Sequence, residues 1–108
     1  MTDELLEFAA KAHGGLVFVR NMGWIYESAN GTRGAWWNPL GSNSDCFALI
    51  AKFRLGIAFE KLHTVSVWCD PLDGWITEHC KDGMGADIED KIRLCVLRVV
   101  AEIGRAMA

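Results

Sequence analysis

The residues that follow Gly85 constrain this chain more than any others. Ile88, Ile92, Cys95, Val96, Val99 and Ile103 recur at helical spacing, Asp87 stands where a cap belongs, and Glu89 and Asp90 suit the positive end of a helix dipole. The pattern predicts a helix of about five turns. Leu94, Leu97 and Val100 widen its apolar arc beyond a single stripe, while Lys91, Arg98, Glu102 and Arg105 share the opposite side. A helix with so broad an arc has to be covered twice, by a sheet and by a second helix or a second protomer.

The rest of the chain has to supply that cover within 108 residues, which is room for one domain only. With 51% hydrophobic and 23% charged residues it has the composition of a packed globule, and no repeat or Gly/Ser/Pro linker divides it. Thr2 to His13 reads as a helix, with Thr2 as N-cap, Asp3 and Glu4 in the first turn and Gly14-Gly15 as the stop. Its face of Leu5, Leu6, Ala9 and His13 suits close packing on a sheet. Leu16 to Val19, Trp24 to Glu27 and, after an Asn30-Gly31 turn, Gly34 to Trp37 read as two or three antiparallel strands, with Gly23 marking a bulge or a turn.

Asn38-Pro39 ends this run, and the N-cap-rich Ser42-Asn43-Ser44-Asp45 leads into a helix from about Ser44 to Leu55, striped by Cys46, Leu49, Ile50 and Phe53 and stopped by Gly56. Lys61 to Cys69 and Trp75 to Cys80 form a hairpin across Asp70-Pro71-Leu72-Asp73-Gly74. The sum is one α+β domain, ordered α-β-β-α-β-β-α, with an antiparallel sheet of about four strands carrying the terminal helices on one face.

Fourteen acidic residues outweigh eleven basic ones, a net charge of −3, which disfavours direct nucleic-acid binding. Lys52 with Arg54, and Lys91, Arg93, Arg98 and Arg105, are the only groupings from which a local basic face could form. The acidic start lacks the character of a secretory signal, and no apolar run is long enough to span a bilayer, so the expected setting is cytoplasmic, away from membranes. Four cysteines are then expected as free thiols, with Cys46 and Cys95 in the core.

Little in the sequence has the spacing that chemistry requires. Cys69, His79 and Cys80 offer zinc-ligand types, but neighbours in a strand point to opposite faces, so no metal or cofactor is implied. Cys69 could meet His63 or His79 across the hairpin as nucleophile and base, which keeps a small cysteine-dependent or hydrolytic enzyme as an alternative. Asp70 and Asp73 suit a turn, Asp87 a cap, and no phosphate-binding glycine loop is assembled.

The five tryptophans are unusual for so small a core. Trp36 and Trp37 are adjacent in an extended segment and must point opposite ways, so one of them either covers a core edge or anchors a partner.

The segment Trp37-Asn38-Pro39-Leu40 with its capped helix, the opening Glu4 to Ala12 helix and the closing Leu97 to Met107 sequence, with its Ala101-Glu102-Ile103-Gly104 core, resemble in that order a family of short phage and prophage proteins. Gly41 to Asp45 and the cysteine content depart from the family pattern. The resemblance supplies no catalytic residues and implies a mobile-element setting, in which short acidic proteins often bind and block a host protein, as anti-CRISPR and other anti-defence inhibitors do. The function expected on that analogy is a non-enzymatic binding protein acting on a host protein such as a nucleic-acid-binding defence complex, with a homodimeric structural protein as the other alternative. Its candidate partner-binding residues are Trp36 and Trp37, the acidic set Asp70, Asp73, Glu78 and Asp82, and Arg98 and Arg105 on the last helix.

Overall fold

A computed structural model of the chain describes residues 2–20, 23–28, 30–59, 64–69, 74–79 and 86–107. Among the described residues nine elements follow one another: α1 (Thr2–His13), β1 (Leu16–Val19), β2 (Gly23–Glu27), β3 (Arg33–Trp36), α2 (Asn43–Phe53), β4 (Gly56–Ala58), β5 (Thr64–Cys69), β6 (Gly74–His79) and α3 (Ala86–Ala106). The class is α+β, as expected. The strands, however, divide between two three-stranded antiparallel sheets, β1-β2-β3 and β4-β5-β6, in place of one sheet of about four.

The question over Leu16 to Glu27 resolves into two strands. Phe18 faces Trp24 and Val19 faces Gly23, and Gly23 holds a φ of 93°, a left-handed value that an L side chain rarely adopts. The Asn30-Gly31 turn then closes on Ser28, whose Oγ accepts from the Thr32 amide at 3.2 Å, and β3 leaves as an edge strand.

The chain differs from expectation after α2. Gly56 is not the helix stop: Arg54 takes the left-handed position at φ 52°, its N–H and that of Leu55 both reaching the Ile50 carbonyl. Gly56 instead opens β4 and lies opposite Trp68. That addition makes β5 a central strand, paired along both edges. Val65, Val67 and Cys69 are buried on one face, and on the other the buried Ser66 shares a 2.7 Å hydrogen bond with Thr77.

At the centre of the molecule lies α3, with Cys95, Val96, Leu97, Val99, Val100 and Ala101 fully buried. It packs on β5 and β6 and is also covered by α1 and α2. The two-sided cover inferred from the arc is therefore met within the chain, and the arc is not a free surface for a partner. One correction follows for α1, which rests chiefly on α3 and only marginally on a strand. Small residues allow this: Ala9 and Ala10 are buried, and a Cβ on Gly104 would stand 1.8 Å from the Phe8 carbonyl oxygen. Each large side chain so enclosed, such as Leu97 or Leu49, contributes about 1.5–3 kcal/mol.

Candidate functional site

The Trp37 to Leu40 segment is an architectural joint. Asn38 turns the chain, its carbonyl accepting from the Ser42 amide at 2.8 Å, and Ser42 caps α2 by accepting from the Asp45 amide at 3.2 Å. Asp45 locks the joint to the first sheet. One carboxylate oxygen accepts the Tyr26 hydroxyl at 2.9 Å and the other the Asn38 amide at 2.8 Å. Burial first, and then this hydrogen bond and the nearby negative charge, push the Tyr26 hydroxyl up to about 12. Arg93 of α3 reaches the same joint, donating to the Leu40 carbonyl at 2.8 Å and the Asn43 side chain at 2.6 Å while pairing with Asp90.

Beside this joint lies a groove of about 570 Å³. One wall is α1, through Asp3, Leu6 and Glu7, and the other is formed by Phe18 of β1, Gly23 and Trp24 of β2, Trp36 of β3, and Trp37 with Asn38. Phe18 and Trp24, paired across the strands, meet edge to face at 5.4 Å between ring centroids. The alternation expected at Trp36 and Trp37 is present: Trp37 is 3% exposed and Trp36 60%. Trp37 therefore belongs to the core, its ring tilted against His13 at 5.6 Å and its indole N–H buried with no partner among the described residues. Trp36 and Phe18, itself 59% exposed, are the most exposed large apolar residues among those that line it.

The other expected contact residues do not gather here. Asp70, Asp73 and Asp82 lie outside the described residues, and Glu78 stands on β6 opposite Val65. Arg98 is exposed on α3. Arg105 is engaged within the chain, 3.0 Å from Glu4, paired with Glu102, and with its guanidinium carbon 4.9 Å from the Phe8 ring centroid. With Arg93 held at the joint as well, two members of the second basic grouping are engaged within the chain.

The cysteine constellation also comes apart. In the β5–β6 register Cys69 faces Gly74 whereas His79 faces Thr64, so Cys69 and His79 stand at opposite ends of the hairpin, about 17 Å apart along the strands. His63 and Cys80 lie outside the described residues. Cys46, Cys69 and Cys95 are buried free thiols, and burial pushes the Cys95 thiol up to about 11. Among the described residues no helix is long and apolar enough to cross a membrane.

Sequence reasoning singled out Trp36 but missed Phe18, Trp24, Asp3 and Glu7 as its companions. The i, i+4 spacing of the two acids on one helical face was the available signal. Compared with protein-family models, with curated proteins and with solved structures, the chain matches none, so a functional reading rests on its own geometry.

Proposed function

We propose that this chain is a non-enzymatic binding protein whose partner docks at the Trp36 groove. The supporting observation is that Trp36 and Phe18, both well exposed, line one open depression, since large aromatic side chains are the usual anchors of binding hot spots. The buried thiols, and the distance between Cys69 and His79, lend the enzymatic alternative no comparable support. In the mobile-element setting that the sequence resemblance implies, the partner is a host protein whose activity is blocked or redirected by occupancy, a nucleic-acid-binding defence complex being the kind that setting suggests.

The test is affinity capture from host lysates with the wild-type chain beside Trp36→Ala and Phe18→Ala. A stoichiometric partner held by the wild type and lost from both folded variants is the expected result. Equal capture by all three would place the interface elsewhere.

A homodimer is the second reading, favoured by one observation: β3 is an edge strand with all four of its residues exposed. Sedimentation at low micromolar concentration distinguishes the two, a monomer supporting the partner reading.

A further inference from the structure

We infer that the Trp36 groove is a receptor for a cationic side chain, an arginine presented by the partner protein; this rests on the binding reading above and names its chemistry. The groove is lined by Phe18, Trp24 and Trp36 together with the acids Asp3 and Glu7, and among the described residues no cation lines it. Those two acids stand at i and i+4 on one face of α1, close enough for their negative fields to add. Neither has an ion-pair partner among the described residues, whereas Glu4 on the same helix does.

The chain itself shows what completes such an arrangement. On another part of α1, Arg105 lies over the Phe8 ring at 4.9 Å and is held there by Glu4, at 3.0 Å, and by Glu102. Ring, carboxylates and guanidinium form one unit. The groove repeats the first two parts, with indoles in place of the phenyl ring, and indoles are the strongest cation-π acceptors among side chains. Arginine fits better than lysine, because a planar guanidinium can stack on Trp36 or Trp24 while its edge donates to two carboxylates at once. The apolar Leu6 and Phe18 suit the methylene stem behind that head group.

The experiment titrates the full chain with acetyl-Gly-Arg-Gly-amide and with its citrulline analogue, which keeps the shape and removes the charge, following the tryptophan indole N–H resonances. Saturable shifts at millimolar arginine peptide are expected, with the citrulline peptide at least tenfold weaker. The Asp3→Asn/Glu7→Gln double variant, its melting temperature checked, should likewise bind arginine at least tenfold more weakly, and Trp36→Leu should abolish the shifts. Equal binding of the citrulline peptide would overturn the cation assignment while leaving a Trp36-dependent binding groove intact. No shift with either peptide, or full affinity in the double variant, also overturns it. Loss of the binding reading itself would show separately, as partner capture that is indifferent to Trp36.

Discussion

Asp45 accepts the Tyr26 hydroxyl at 2.9 Å, joining the middle strand of the first sheet to the first turn of α2. The same carboxylate accepts the Asn38 amide, so one side chain fixes strand, turn and helix together. Asp45→Ala is expected to cost about 2–3 kcal/mol, the range for losing a charge-assisted hydrogen bond and leaving a neighbour unpaired. Tyr26→Phe, which removes only the donor, should cost about 1 kcal/mol. Urea denaturation of the three proteins checks the order.

The same contact gives a pH signature. Tyr26 is the only tyrosine, so phenolate absorbance reads one group, and its midpoint should fall near 12 in the folded chain, against 10.0 unperturbed. A folded value raised above the unfolded one means that the folded state holds the proton more tightly. The associated stability is complete below about pH 10 and is lost as pH rises through about 12. In Asp45→Ala the midpoint should move down toward the unperturbed value, though burial keeps it from returning fully.

Gly104→Ala should be among the most damaging single-methyl changes in the molecule. The added carbon would lie 1.8 Å from the Phe8 carbonyl oxygen and 2.7 Å from its carbon, both backbone atoms that move only if α1 and α3 separate. The expected loss is 3 kcal/mol or more, at the upper end of what overpacking costs, read as a lowered melting temperature. Gly34→Ala is the control. Its Cβ would meet Tyr26 at an ordinary 3.7 Å, and the change should be within about 0.5 kcal/mol of neutral.

Arg93 is 15% exposed through its side chain and joins α3 to Leu40 and Asn43. Arg93→Ala should cost about 2 kcal/mol, and Arg93→Lys should rescue little of it, because an ammonium cannot reproduce the forked donors. Chemical denaturation followed by tryptophan fluorescence provides the measurement.

At pH 8 the Cys95 thiol, raised from 9.0 to about 11, holds about 100-fold less thiolate than an unperturbed one. With Cys80→Ser as background, a thiol reagent should therefore modify Cys95, followed by peptide mapping, at least that much more slowly in the native protein than in the unfolded chain. A single fast-reacting native thiol in that background would revive the nucleophile reading.

The elements legible in the sequence are those written in neighbouring residues. Thr2 to His13, the Asn30-Gly31 turn, the Ser42 cap and the α3 periodicity each carry their own local signal, and α1 falls on the bounds read for it. Alternation likewise separated Trp36 from Trp37. What escaped was set by distant partners. The three residues of β4 exist as a strand through pairing with β5, and the split into two sheets is a matter of which strands meet. Arg93 and Arg105 looked like surface charge because their partners, Leu40 and Glu4, are far away in sequence. The groove was half legible, since nothing local announces that the Asp3–Glu7 face of α1 stands opposite Phe18 and Trp24.

The crossing of α1 on α3 has a consequence in time. α1 is synthesised well before α3, its main support, and the alanines that seat it pack chiefly against that later helix. Its contacts with α3 are distant in sequence, the kind that closes after local structure has formed. Because α1 is also a wall of the Trp36 groove, a nascent chain halted before α3 carries the rings but not the depression that gathers them. The groove is thus a product of the α1–α3 crossing, and a chain in which that crossing has not formed lacks it.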